Sequence, residues 1–425
     1  MGYVVFLSIL FITVTTYLKE KKVESPIFVF GLLWTTVTLL AALRLYGLND
    51  VSLKSWLIIL IGTLSFFLGV MLSRRFCVRQ IVMKNVQDKE YYIFSKKTYN
   101  ILFALVVLLL FGQALTSLKY FMSGTSLAQI RSAYYGLSAL DGFQQKDTGS
   151  LSIYLNYIQG AVSRVLVAIG AVSFVENRRK LDLFKSILLV FMSVIIAGGR
   201  YDILFLLIDL FVATQWVKKQ KTDYKPISFR MKRRIEIILI LGFIAIIVVT
   251  ILRGSTVNEV VKMFYTYICG NVALLDIHIG ELDQIGAYSS GIAGLYGIVY
   301  FIYPILHFIG IPYSPKYLVT TTYVMTGQQW LQIGEDMYSN AMLTSYYYLY
   351  ADFRYFGIVV GMLIMGYIIG KLHTKSFYRN DRCLIIYYMI ACQCILTTIQ
   401  TFATGSVDIA LILLFMIFTN VKIRR

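Results

Sequence analysis

Apolar runs of 16 to 21 residues recur from one end of this 425-residue chain to the other, and no soluble fold has an interior for so many of them. A run of about 20 residues, wound as a helix, crosses the roughly 30 Å hydrocarbon core of a bilayer. Inside lipid every backbone N–H and C=O must be satisfied within the chain, which favours helices. Composition agrees: 58% of the residues are hydrophobic and 15% are charged, against about 25% charged in an ordinary globular domain. The expected fold is all-α, a polytopic transmembrane helical bundle. Eleven spans are expected, near 3–18, 26–46, 55–72, 98–118, 153–175, 184–198, 201–217, 235–252, 354–371, 383–402 and 405–421, with a twelfth if 291–310 crosses. The organisation that follows is an N-terminal transmembrane bundle over 1–252 with an external loop at 119–152, a large external connection over 253–353, and C-terminal transmembrane helices over 354–425.

A net charge of +18 on a soluble surface would point to nucleic acid. Its distribution points elsewhere. The segments 19–25, 73–97, 176–185, 216–234, 371–382 and 422–425 hold 29 of the 40 Lys and Arg residues. Basic connections stay on the cytoplasmic side, so the expected topology has the N-terminus outside and the C-terminus inside, with the basic face against anionic membrane lipid. Nucleic acid is not implied. The five cysteines provide no disulfide framework, since Cys269 is the one placed outside, and three scattered histidines with no HExxH or CxxC support no metal site and no cofactor.

Several positions depart from plain apolar spans. Residues 184–217 form one nearly continuous apolar stretch with basic residues at both ends, so it has to cross an even number of times. Ala197-Gly198-Gly199-Arg200 is where it turns back, which puts Arg200 at the outer apex of a hairpin, as a headgroup anchor or as an anion ligand. Arg164 and Asp209 lie at similar depth within spans and are expected to form a structural ion pair, because a lone charge there is costly. Residues 123–140 have the three-to-four spacing of an amphipathic helix lying at the interface, with Arg131 on its wetter side. The 253–353 connection carries Arg253 at its start, Asp276, His278, Glu281 and Asp283 in its middle, and Glu335, Asp336, Asn340 and Asp352 towards its end. Within it, 291–310 is apolar and broken by Pro304, and is expected to be an interfacial or re-entrant element. Many of the 32 tyrosines fall in these external regions. They suit a membrane-interface belt, and equally the faces and hydroxyls of sugars.

External arginines beside carboxylates, with no nucleotide-binding loop, suit a substrate that brings its own leaving group, such as a lipid-linked sugar diphosphate. The Ala197-Gly198-Gly199-Arg200 apex, the long external connection, and Ser339-Asn340-Ala341-Met342-Leu343-Thr344 running into Tyr350-Ala351-Asp352-Phe353 and then Gly357, Gly361 and Gly366 resemble the oligosaccharide repeat-unit polymerase family, the Wzy-type O-antigen and capsular polysaccharide polymerases. Where its members commonly have Asp-Phe-Gly, this chain has Asp352-Phe353-Arg354. The resemblance implies a GT-C-like glycosyltransferase of the bacterial cytoplasmic membrane. Its substrate would be an undecaprenyl-pyrophosphate-linked oligosaccharide, and it would work beside a flippase and a chain-length regulator. On that reading Arg200, Arg253, Arg131 and Arg354 contact the anion, Asn340 contributes to substrate binding, Asp352 binds substrate or positions the end of the loop, and Asp336, Glu335 and His278 are the acid/base candidates. An O-antigen ligase-type transferase and a polysaccharide flippase or transporter remain as alternatives.

Overall fold

The computed structural model describes residues 1–83, 95–134, 150–219, 229–252, 257–327, 329–340, 343–379 and 382–418. The chain is a mostly helical, multi-span bundle of membrane type. Its helices are α1 Gly2–Glu20, α2 Pro26–Leu43, α3 Leu53–Met83, α4 Lys96–Met122, α5 Leu127–Tyr134, α6 Ser150–Asn177, α7 Lys180–Ala197, α8 Tyr201–Lys219, α9 Phe229–Leu252, α10 Val257–Ile285, α11 Tyr296–Phe308, α12 Pro315–Thr326, α13 Thr344–Arg379, α14 Arg382–Thr397 and α15 Val407–Phe418. Among the described residues, eight stretches are long and apolar enough to cross a membrane, on α1 to α4, α6, α9, α10 and α13. α7 and α8 are of similar length but carry three and four charged residues respectively. Each of the eleven expected spans falls on a helix.

Two features differ from the expectation. The 253–353 connection contains α10, a 29-residue helix with enough apolar length to cross. Glu259, Lys262, Asp276, His278, Glu281 and Asp283 interrupt its hydropathy, so the sequence reads as a loop although several of these polar groups are used in internal contacts. The fold is also not purely helical: β1 Leu331–Gly334 and β2 Met337–Ser339 pair as an antiparallel ribbon. The 291–310 element contains one short helix. α11 has 13 residues, a rise of about 20 Å, which falls short of a bilayer core.

The chain divides into two compact units, Met1–Gln87 with Val261–Lys375 and Ala391–Ala410, and Asp88–Val260 with Ser376–Ile390 and Leu411–Arg425. In the first, α1 lays Val5, Ile9 and Thr13, spaced four apart on one face, against α2. An aromatic core follows, with Phe30 stacked on Phe66 at 4.0 Å and Trp34 against Tyr346 at 4.7 Å. Its polar tips are satisfied: the Trp34 indole N–H donates to Thr398 Oγ1 at 3.2 Å and the Tyr346 hydroxyl bonds Thr63 Oγ1 at 3.0 Å. In the second unit α6 packs against α7 and α8, α4 lies against α6 and α7, and α9 lies against α8. Outward faces in both units are apolar, with Phe11 on α1, Leu108 on α4 and Ile240 on α9 exposed. Water would penalise such faces, whereas lipid chains do not. All five cysteines are buried and unpaired with one another. Cys269, expected outside, is packed within α10, where its thiol donates to Tyr265 O.

Candidate functional site

In the second unit the polar groups gather at the α7–α8 turn. α7 ends because Gly198 takes a left-handed conformation (φ 58°), and its N–H closes the helix on Val194 O at 2.8 Å. Gly199 and Arg200 complete the reversal, and α8 starts at Tyr201. α5 rests on this turn, with Leu127, Ile130 and Ala133 buried. The Arg131 Nη1 donates to Ala197 O at 2.9 Å, satisfying a carbonyl that the end of α7 leaves open. Arg131, half-buried, lies off the buried face formed by Leu127, Ile130 and Ala133. The rest of the expected 123–140 helix, from 135 on, lies outside the described residues. Arg200, also half-buried, donates from Nη1 to Thr250 Oγ1 on α9 at 2.8 Å, and that hydroxyl in turn donates to Ile246 O at 2.7 Å. Arg253 lies outside the described residues, three positions beyond Thr250. Two guanidinium groups and the N-terminal end of α8 thus meet one glycine-containing turn, a combination that favours an anion. Asp202, in the first turn of α8, accepts from Ser193. Elsewhere in this unit, the Arg164 guanidinium of α6 lies over the Phe205 ring of α8 at 4.9 Å. Asp209, fully buried, is one turn further along α8.

The first unit collects its polar groups around α10 and the start of α13. Asp276 and Asp283, seven residues apart and so on one side of α10, both meet the beginning of α3. Asp276 accepts from Ser52 and from Ser55 Oγ, the latter at 2.6 Å. Asp283 pairs with Lys54 and accepts from the Tyr350 hydroxyl at 2.7 Å, with the Lys54 ammonium 5.2 Å over the Tyr350 ring. Ser52, Lys54, Ser55 and Thr250 escaped the sequence reading. Lys54 was detectable as one of the few basic residues outside the six basic segments. His278 is buried and its Nδ1 bonds Glu281 Oε2 at 2.7 Å, one turn along the helix. Its Nε2 is buried with no hydrogen-bond partner, and the ring stands edge-on to Tyr347 at 5.6 Å.

Asp352 and Arg354 flank a break in α13, where Phe353 and Arg354 leave helical geometry (φ −143°, ψ 27° and φ 55°, ψ −136°). The Asp352 carboxylate accepts from the backbone N–H groups of Gly291, Ala293 and Gly294 at 2.8, 3.0 and 2.7 Å. The Arg354 guanidinium donates to Leu282 O at 2.9 Å, Ala287 O at 3.1 Å and Tyr350 O at 3.5 Å, and lies over the rings of Tyr288 and Tyr350. Asp352 thus holds the 291–294 turn, and Arg354 holds the end of α10. Glu335 and Asp336 form the exposed tip of the β-ribbon, with Asp336 at φ 48°. The Glu335 N–H donates to Gly47 O at 3.2 Å. Asn340, half-buried, follows β2.

Within the first unit, the structure groups His278 with Glu281 and, separately, Asp352 with Arg354 near the end of α10. Within the second, Arg131 and Arg200 are both at the α7–α8 turn, the first bonded to Ala197 O and the second to Thr250 Oγ1. Among the described residues no three His, Cys, Asp or Glu side chains are arranged to hold a metal ion. Comparison of the chain with protein-family models, with curated proteins and with solved structures finds no match.

Proposed function

We propose that this membrane protein is a GT-C-like glycosyltransferase of the polysaccharide-polymerase kind, acting at the outer face of the bacterial cytoplasmic membrane with its N-terminus outside. Its substrate is an undecaprenyl-pyrophosphate-linked oligosaccharide. The observation that carries this reading is the α7–α8 turn between two apolar helices, where Arg131 bonds Ala197 O and Arg200, three residues further on, reaches Thr250 on α9. A diphosphate on a polyprenyl chain needs a cationic turn for its charge and apolar helix surface for its chain, and the second unit offers both. As the acceptor hydroxyl oxygen attacks the anomeric carbon, the bond from that carbon to the diphosphate oxygen breaks. Negative charge grows on the departing diphosphate, and an arginine fork stabilises it more in the transition state than in the ground state.

The acceptor proton needs a base. Within the first unit, His278 is the candidate acid/base residue, with Glu281 bonded to its Nδ1. Glu335 and Asp336, exposed on a ribbon tip, remain the alternative carboxylate bases. The family likeness gains support at position 354: φ 55°, ψ −136° is a conformation glycine adopts far more readily than arginine, and glycine is what the family's Asp-Phe-Gly has there.

The decisive experiment is a gel of lipid-linked and finished glycans from cells lacking the gene. A polymerase defect leaves single repeat units attached downstream. Long unattached chains would instead identify a ligase, and repeat units trapped inside the cell a flippase.

A further inference from the structure

Between Asp283 and Glu335 the chain has a single formal charge, Lys316. A solvated external connection of this length normally carries many more, and the structure shows where the apolar residues go. α11 and α12 follow one another through the connection at Ile309 to Ser314, and Tyr303 of the first stacks on Tyr317 of the second. Phe308 is 90% exposed, the most exposed large apolar side chain among the described residues, and Ile305, Ile309 and Ile311 beside it are exposed as well. Three N–H groups of the tip are bonded within it. Ile309 and Ile311 N–H groups donate to Leu306 O, and Gly310 N–H donates to His307 O at 3.0 Å. Pro304, Pro312 and Pro315 have no N–H to satisfy. A tip with four exposed apolar side chains suits an environment poor in water.

Behind the tip lies a stack of aromatic rings: His307 on Tyr313 at 4.5 Å, Tyr313 on Tyr317 at 5.3 Å and Tyr317 on Tyr303 at 4.4 Å. Their polar atoms are partly tied in, the Tyr303 hydroxyl bonding Ser314 Oγ at 3.1 Å. Burial pushes the Tyr317 phenol above its usual range, so the ring stays neutral. Lys316 is exposed next to this stack and donates to Ser290 Oγ at 3.1 Å. Apolar tip, aromatic layer and cation occur in the order in which hydrocarbon, interface and anionic headgroups occur across one leaflet.

We infer that the α11–α12 segment is a membrane anchor whose tip, Phe308 to Ile311, inserts among lipid acyl chains while Tyr303, Tyr313, Tyr317 and Lys316 lie at headgroup depth. At about 20 Å α11 does not cross, so the segment enters and leaves on the same side. The occupant is bulk lipid: the only formal charge on the segment is positive, complementary to anionic headgroups, and the exposed apolar faces of the long helices already require the same solvent. The inference does not depend on the proposed enzymatic activity.

Depth-dependent quenching tests it. Phe308→Cys and, separately, Lys316→Cys are introduced into the full-length protein, labelled with an environment-sensitive fluorophore and reconstituted in vesicles of phosphatidylcholine and phosphatidylglycerol. Wild-type protein, whose described cysteines are all buried, sets the background. The label at 308 should emit to the blue and be quenched several-fold more by nitroxide on the acyl chain than by nitroxide on the headgroup or by aqueous iodide. The label at 316 should show the opposite preference between the two lipid quenchers. Iodide quenching that dominates at 308 would mean a solvated tip. Protection at 308 from lipid and aqueous quenchers alike would mean that a second copy or another protein covers it. Either result overturns the anchor.

Discussion

The α7–α8 turn and the 289–294 turn are both short, glycine-bearing reversals with charged side chains packed on them, and they use those charges in opposite ways. At 289–294 the charges serve the backbone: Asp352 takes three N–H donors of the turn, and Arg354 supplies three carbonyls around the end of α10. At α7–α8, Arg131 meets one carbonyl, but Arg200 reaches a threonine hydroxyl on another helix. A charge engaged with several backbone groups is part of the scaffold, and removing it orphans those groups. The Arg200 guanidinium instead ties the turn to a neighbouring helix through a side-chain hydroxyl. The family-like Asp352-Phe353-Arg354 is thus the more architectural of the two, whatever its conspicuousness as a motif.

The largest effect that would sharpen this contrast is on stability at Asp352. Asp352→Ala leaves three N–H groups without their acceptor, and at about 1–3 kcal/mol for each unsatisfied group, with water replacing part of the loss, it should cost about 3–5 kcal/mol. The expected observation is a large drop in thermal midpoint in detergent and in membrane yield, with Asp352→Asn between wild type and Ala. Gly294→Ala attacks the same arrangement from the other side. Its Cβ would lie 2.8 Å from Asp352 Oδ2, and an oxygen held by the Gly294 N–H cannot easily retreat. If both variants keep the wild-type midpoint, Asp352 is not architectural and the comparison fails.

Next in size is the effect of Arg200 on activity. Arg200→Ala should slow glycan transfer by about 100-fold, roughly 3 kcal/mol, as when one preorganised transition-state contact is deleted. Arg200→Lys keeps charge without the planar fork and should fall between the two. Protein level should remain near wild type. Full activity in the alanine variant, or a loss explained by vanished protein, breaks the functional half of the comparison.

A smaller effect separates scaffold from function within the second unit itself. Arg164 and Asp209 sit on α6 and α8, helices that pack together, and Arg164 already covers Phe205, one turn from Asp209. A charge at such depth is tolerated when compensated. Arg164→Ala should lower the thermal midpoint, and adding Asp209→Ala should recover part of the loss, for a coupling of about 1–2 kcal/mol. Strict additivity in the double variant would remove the pair.

How much of this could be seen in the sequence depends on what kind of signal each part leaves. Apolar length is local, so the helical spans and the return at Ala197 to Arg200 were legible, the latter because two glycines interrupt a stretch too long for one crossing. α10 was not, because its acidic residues find partners such as Ser52, Lys54, Ser55 and Tyr350 from more than 60 positions away. Hydropathy treats a carboxylate with distant partners like a solvated one. The β-ribbon was missed for a related reason: its strands have four and three residues and gain a bridge from Leu48 to Gly334, far off in sequence. The chemistry of a site reads least well of all. Residue type put forward both Arg200, as an anion ligand, and Asp352, as substrate ligand or loop-positioning residue, and the three backbone N–H partners of Asp352 are what identify it as scaffold.

The smallest predicted effect tests whether the α7–α8 turn is held by its own backbone geometry. Gly198 sits at φ 58°, where a side chain is strained, yet a Cβ there would meet nothing closer than Leu127 O at 3.6 Å and Arg131 Cβ at 3.9 Å. Those are ordinary contacts, so Gly198→Ala pays only the left-handed conformation, about 1 kcal/mol. That loss should appear as a modest drop in midpoint, well below that of Gly294→Ala, where a carboxylate is in the way. Transfer should fall by less than in Arg200→Ala, since the arginine stays in place and the turn has room for a methyl group. If Gly198→Ala proves as damaging to stability as Gly294→Ala, the turn is more tightly built than its neighbours indicate. Arg131 on Ala197 would then be as architectural as Arg354 on Leu282, and the distinction between the two turns would not stand.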